Sequence, residues 1–257
     1  MSNLINRLKR LHQVEARPLG FMIGEGPVEK PKLQLVVLLA AGEPEPPALG
    51  PADAAVVEIG PSGKTGPLEK LCRTRDGVPG GAWVKAAGEA VWEKVLETPC
   101  DFIIFPPATP LAAAAKDGPG RILELDPSLN EGLLRTVNDL PVDAVLIPGE
   151  REEKALTFRR LMLVQRLLNL VHKPVLVTVP GEITGADLQS LWDAGVSGVV
   201  VNLAELENGE KLAALRREID GLAPPAFRKK TPLTPALPRI QPVAPEPEEE
   251  EEDGEEE

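Results

Sequence analysis

KPVLVTVPGEITGADLQSLWDAGVSGVVVNL, residues 173–203, contains a strand, a helix and a second strand in the order that decides the fold. The apolar, β-branched runs PVLVTV and GVVVNL predict two buried strands, and the segment between them has helical spacing. Thr184, followed three residues later by Asp187, predicts the helix N-terminus, and Gly195 predicts its end. Two strands joined by a helical crossover lie parallel in one sheet.

The same alternation of strand and helix extends through most of the 257 residues. Nearly continuous apolar strands indicate a parallel sheet that is covered by helices. Helical patterns lie between the later strands, for example SLNEGLLRTVND, where Ser128 is the expected N-cap with Glu131 three residues on. The predicted strands are LQLVVLLA (33–40), AAVVEIG (54–60), GAWVK (81–85), DFIIF (101–105), RILELD (121–126), DAVLIP (143–148), PVLVTV (174–179) and GVVVNL (198–203).

Residues 173–203 resemble the last two βα units of many (β/α)8 enzymes, in which a helix ending in Ala-Gly leads into the final strand. ADAAVVEIG (52–60) resembles an earlier unit of the same kind. Eight strands with crossovers can close on themselves, so we predict an α/β fold of the (β/α)8, or TIM, barrel type with a degenerate first βα unit. An open doubly wound parallel sheet is the alternative, because the connection 41–53 is too rich in proline for a helix and LGFMI (19–23) is a ninth strand candidate.

The chain divides into three predicted segments. Residues 1–16 form an amphipathic helix, which we expect to pack on the domain or close the barrel, with a membrane surface or a partner helix as alternatives. Residues 17–222 form the barrel domain. Residues 223–257 are rich in proline and acid, which predicts a disordered tail, since such a segment buries too little apolar surface to offset the entropy of ordering.

The charge of the chain lies mainly in that tail. The net charge is −12, but the last twelve residues hold ten of the 40 acidic side chains, which leaves 30 against 28 Lys and Arg elsewhere. A nearly neutral body without a basic face excludes nucleic acid as a partner. No apolar run approaches the roughly 20 residues of a transmembrane segment, and the N-terminus lacks the features of a secretory signal, so we predict a cytoplasmic protein.

Metal and cofactor motifs do not stand out. Cys72 and Cys100 lack CxxC spacing and are read as reduced, packed thiols. His12 and His172 lack the spacing of a zinc site, so no metal is predicted.

Two glycine-rich regions are candidate phosphate sites. The GPSGKT loop that begins at Gly60 has Glu58 where a P-loop requires its first glycine. The loops after the seventh and eighth strands bind phosphate in many (β/α)8 enzymes, but here they carry Glu182, Glu205 and Glu207. The sequence therefore leaves the cofactor unknown.

Side-chain alternation along RILELD supplies the candidate site. Leu123 and Leu125 share one face of this strand, while Ile122, Glu124 and Asp126 share the other. The outer face of a barrel strand meets apolar helices, so we expect the carboxylates to point into the lumen. Asp126 ends the strand, where (β/α)8 chemistry takes place.

Charged side chains also end the second and third strands, at Glu58 and Lys85. We expect the candidate catalytic residues Lys85, Asp126, Glu124 and Glu58 to converge in the lumen, as a proton-transfer group whose pKa values are shifted by burial and mutual charge. The alternative is a structural ion-pair network. Other polar residues at or just beyond strand ends are Glu150, Thr178, Glu182 and Asn202.

Two function classes follow. The first is a TIM-barrel-like enzyme, a lyase or isomerase, that acts on a small polar metabolite by acid/base or carbonyl chemistry at the C-terminal ends of the strands. The second is a non-catalytic barrel that acts as an interaction or scaffold protein through its N-terminal helix and acidic tail. The expected partners are a small-molecule ligand and a basic protein for the tail.

Overall fold

Eight parallel strands form a closed barrel in the computed structural model, each pairing with its neighbours in chain order. The structure describes residues 2–13, 33–40, 49–73, 77–85, 88–111, 118–149, 154–206 and 209–224. Strand β1 also pairs with β8, with Val36 opposite Val200, so the (β/α)8 barrel is confirmed and the open sheet is excluded. The strands are β1 Gln34–Leu39, β2 Ala54–Ile59, β3 Gly80–Val84, β4 Phe102–Phe105, β5 Gly120–Glu124, β6 Ala144–Ile147, β7 Val175–Val179 and β8 Gly198–Asn202.

All eight predicted strands are present, and none of their ends differs from the prediction by more than two residues. The ninth candidate, LGFMI (19–23), lies outside the described residues, as do most of the first connection and residues 112–117. The chain divides into two units, Met1–Pro225 and Ala226–Glu257, and the barrel is the first of these. The predicted tail lies outside the described residues from 225 onward.

Seven α-helices lie within the described part of the chain. In one of them, the predicted capping box forms between Thr184 and Asp187, and Gly195 adopts the left-handed conformation with φ 103° after the helix, as expected. The helices are α1 Asn3–Gln13, α2 Gly66–Arg73, α3 Glu89–Leu96, α4 Glu131–Thr136, α5 Phe158–Leu170, α6 Gly185–Ala194 and α7 Gly209–Asp220.

The N-cap of α4 differs from the prediction. Asn130, and not Ser128, caps this helix, because the Asn130 side chain accepts the backbone N–H of Leu133 at 2.9 Å. The backbone N–H of Ser128 instead donates to the carboxylate of Asp126 at 2.8 Å. A turn therefore separates β5 from the helix.

Alternating strand residues form two apolar layers. Those that face outward, such as Val37 and Val57, pack against the helices, and those that face inward, such as Val36 and Val56, fill the lumen. The inward layer is buried from β1 to β8 and leaves no polar side chain in its middle among the described residues. The polar lumen positions lie at the ends of the strands.

Helix α1 closes the N-terminal end of the barrel. Leu4 and Leu8 are fully buried in the lumen with side chains of β1 to β8. The carboxylate of Asp101, which directly precedes β4, accepts hydrogen bonds from the Ser2 hydroxyl and from the backbone N–H groups of Asn3 and Leu4 at 2.7–3.1 Å. Since the apolar face of α1 is buried, the structure gives no support to its binding a membrane or a partner helix.

Within the described residues, no helix has both the length and the apolar composition that a bilayer crossing requires.

Candidate functional site

Three side chains interlock at the C-terminal end of the lumen. Trp83 Nε1 donates a 2.6 Å hydrogen bond to Glu124 Oε2. Lys85 Nζ lies 3.4 Å from the same carboxylate oxygen and 3.5 Å from the centroid of the Trp83 ring. The ammonium group therefore makes an ion pair and a cation–π contact at once.

The barrel register positions this group. Trp83 on β3 lies beside Ile104 on β4, which lies beside Ile122 on β5, and Glu124 follows two residues later on the same face. The indole therefore spans β4 to reach Glu124. The backbone N–H of Lys85 donates to the carbonyl of Ile59 at 3.0 Å, which fixes Lys85 beside the end of β2.

Glu58 faces the same end of the lumen from β2. It is the lateral partner of Trp83 in the β2–β3 pairing and is half-buried. Within the described residues, its carboxylate has neither a hydrogen bond nor an ion pair, in contrast to that of Glu124. A partly desolvated carboxylate without a partner is costly for the fold, and it can accept a proton from a ligand.

Asp126 does not join this group. Its side chain is exposed, and its carboxylate accepts the backbone N–H of Ser128. That hydrogen bond lowers the pKa of Asp126. Strand β5 ends at Glu124, so the side-chain alternation that predicted an inward Asp126 stops before this residue.

Polar residues on β7 and β8 occupy the other side of the lumen. The hydroxyl oxygen of Thr178 is buried and has no hydrogen-bond partner in the described part of the chain. The Asn202 side-chain oxygen accepts the backbone N–H of Ala204 at 3.2 Å. Glu150 and Glu207 lie outside the described residues.

A hydrogen bond joins the loops that follow β7 and β8. The backbone N–H of Gly181 donates to the carboxylate of Glu205 at 2.9 Å. No local pattern predicts this bond, because it joins residues 24 positions apart. The orientation of Trp83 could have been predicted from the sequence, because Trp83 lies two residues before Lys85 and therefore on the same face of the strand.

The thiols and histidines form no metal site among the residues that the structure describes. Cys72 and Cys100 are free and half-buried. Burial raises the pKa of Cys72 to about 11 and also raises that of Cys100. Both groups are therefore protonated near neutral pH.

The closed barrel, with its polar groups at the C-terminal ends of the strands, defines a protein of the (β/α)8 class. No family model and no curated protein match the sequence. Solved structures do match in fold, and several of them are tryptophan synthases.

A mutant α-subunit of tryptophan synthase from the hyperthermophile Pyrococcus furiosus has a TM-score of 0.55 and 17% identity, over 74% of this chain and 98% of that one. A tryptophan synthase chain from Mycobacterium tuberculosis has a TM-score of 0.51 and 20% identity, over 74% and 92%. A second chain from that organism, from crystals in space group F222, has a TM-score of 0.55 and 17% identity, over 86% and 97%. At this identity the similarity extends to the fold alone.

Proposed function

We propose that this chain is a (β/α)8 enzyme that moves a proton on a small polar metabolite. The observation that carries the proposal is the half-buried Glu58 carboxylate, which has no hydrogen bond or ion pair within the described residues and lies on the strand next to that of Trp83, while Trp83 and Glu124 hold the Lys85 ammonium group at the same end of the lumen. These groups lie where enzymes of this fold perform their chemistry. A base and a fixed positive charge are what proton abstraction next to a carbonyl group requires.

Lys85 has the role of an electrostatic stabiliser. The Glu124 carboxylate and the face of the Trp83 ring both contact its ammonium group and hold it at the C-terminal end of the lumen. Glu124 is then a positioning residue that holds Lys85.

Glu58 has the role of the general base. Its carboxylate takes a proton from the carbon next to a substrate carbonyl, and the electrons of the C–H bond move to the carbonyl oxygen. The Lys85 ammonium stabilises the negative charge on that oxygen. Return of the proton to another atom completes an isomerisation, and loss of a leaving group completes a lyase reaction. Asp126 enters the proposal only as an exposed charge at the rim.

The test begins with a ligand screen by thermal shift against keto acids, sugars, sugar phosphates and flavins, because a ligand of the native state raises the melting temperature. Turnover of each hit is then measured for Glu58→Gln and Lys85→Met. We expect both changes to lower kcat by about 10²–10⁴-fold with the fold retained. Lys64→Met is the matched control, because Lys64 is an exposed lysine in the loop after β2.

If Lys85 and Glu124 form only a structural ion pair, a different result is expected. In that case Lys85→Met leaves turnover intact and lowers the free energy of unfolding by about 1–3 kcal/mol, since Glu124 loses a charged partner. That outcome would overturn the proposed catalytic role of Lys85.

A further inference from the structure

The hydrogen bond between Gly181 and Glu205 lies in the loops after β7 and β8. A Cβ atom at residue 181 would lie 2.7 Å from Glu205 Cβ and 2.9 Å from the Glu205 carbonyl oxygen. The two loops are therefore in direct contact, and only glycine fits at this position. The same contact brings the Glu205 carboxylate to the Gly181 N–H group.

In many (β/α)8 enzymes these loops bind a phosphate group of the substrate through backbone N–H groups. In this chain, carboxyl and hydroxyl groups of side chains accept three backbone N–H groups from the loop after β7 and the first turn of α6. Gly181 N–H donates to Glu205, Thr184 N–H donates to Asp187 at 3.1 Å, and Asp187 N–H donates to the Thr184 hydroxyl at 3.3 Å. An anion has no free donor among these three groups.

The charges of the loops also disfavour an anion. Residues 180–184 and 203–206 contain Glu182 and Glu205 but no Lys, Arg or His. Both carboxylates are exposed at the end of the barrel that holds the candidate site. A phosphate dianion there would meet two negative charges without a cation in either loop.

We infer that the Glu205 carboxylate occupies the position of a substrate phosphate, and that the substrate of this barrel carries no phosphate group. The statement about the substrate rests on the proposed function, whereas the statement about Glu205 rests on the contacts of the loops. A substrate group that reaches these loops is neutral or positively charged. The barrel thus selects unphosphorylated metabolites by supplying its own anion.

The experiment measures thermal unfolding of the full chain in inorganic phosphate and in sodium chloride of equal ionic strength. Four proteins are compared: the wild type, Glu205→Ala, Glu205→Gln and Glu182→Ala. Glu182→Ala is the matched control, because it removes a carboxylate of the same loops that does not bind Gly181 N–H. Phosphate stabilises proteins in general, so each shift is compared with that of the wild type.

We expect phosphate to raise the melting temperature of Glu205→Ala by about 2 °C more than that of the wild type, and that of Glu182→Ala by no such excess. Glu205→Gln keeps the length of the side chain and is expected to gain a smaller excess of the same sign. Glu205→Gln also provides the comparison with the wild type if Glu205→Ala does not fold.

Two results would overturn the inference. One is specific stabilisation of the wild type by phosphate, beyond that of the Glu182→Ala control. The other is the absence of any excess in both Glu205 variants. Neither result tests the roles of Glu58 and Lys85, because the experiment uses no substrate and measures no turnover. Failure of the inference about Glu205 is therefore distinguishable from failure of the proposed reaction.

Discussion

Trp83 and Glu124 are joined across strand β4 by a 2.6 Å hydrogen bond, and the ammonium group of Lys85 lies over the ring of the same indole. The bond links β3 to β5 without a contribution from the backbone. It also gives the Glu124 carboxylate two donors, one neutral and one charged. The position of Lys85 therefore depends on Trp83 as well as on its own strand.

Replacing Trp83 with Phe removes the indole donor from a carboxylate that is only 19% exposed. We expect the free energy of unfolding to fall by about 1–3 kcal/mol, measured by urea denaturation. Trp92→Phe is the control, because the Trp92 N–H is buried without a partner in the described residues and the change costs mainly packing. Equal losses in the two variants would show that indole volume, and not the hydrogen bond, stabilises the site.

A side chain at Gly81 should not be tolerated. An added Cβ atom would lie 2.4 Å from the Phe102 ring, which is fully buried in the lumen. We expect Gly81→Ala to lower the free energy of unfolding by about 1–3 kcal/mol, because the fully buried ring must shift within a packed lumen. Gly60→Ala is the matched control, since nothing lies within 4 Å of its added Cβ and it should be neutral or slightly stabilising. If both variants unfold at the wild-type midpoint, the lumen is less tightly packed than the structure shows.

Acid should weaken the attachment of α1. Burial raises the pKa of Asp143, but hydrogen bonds from Lys9 and from the backbone N–H of Arg121 outweigh it and hold that pKa below its ordinary value. A carboxylate with a lowered pKa in the folded state adds stability above its unfolded pKa of about 3.9, and this stability is lost as the pH falls through the folded pKa.

Lys9→Met should therefore lower the free energy of unfolding at neutral pH by about 0.5–1 kcal/mol, since the pair is partly exposed. The loss should disappear at a pH below the folded pKa, as measured by urea denaturation across the acid range. Lys64→Met, which alters an exposed lysine, should show no such dependence. A loss of equal size at neutral and acid pH would show that Lys9 acts through packing.

Removal of residues 225–257 should leave the barrel intact. The cut keeps Ala223, whose backbone exchanges hydrogen bonds of 2.9 and 3.3 Å with the Gln189 side chain on α6. We expect the melting temperature to change by no more than a few degrees, since about 1 kcal/mol corresponds to roughly 2–4 °C in a domain of this size. A longer truncation that also removes α7 should abolish cooperative unfolding, because Leu212 and Ile219 are buried. Loss of cooperativity in the shorter truncation would show that the tail is structural.

Local patterns in the sequence predict the strands and much of their orientation. Strand periodicity is two residues, so Glu124 is assigned to the lumen from its neighbours, whereas Glu58 and Lys85 are assigned there because they end their strands. The prediction fails at Asp126, because alternation is informative only while the chain remains in the strand. The N-cap of α4 is misplaced for a related reason, since both Ser128 and Asn130 are suitable caps and the turn decides between them.

The sequence by itself determined the order of eight strands, the helices that carry strong end signals, and the face of β5 that meets the helices. These properties depend on residues within a few positions of one another. Only the tertiary structure decided that β1 pairs with β8, that α1 fills the end of the lumen, that Trp83 reaches Glu124 across β4 and that Glu205 binds Gly181. Each of these contacts joins segments far apart in the chain, and its geometry is set by closure of the barrel and by the register of its strands, which no local pattern contains.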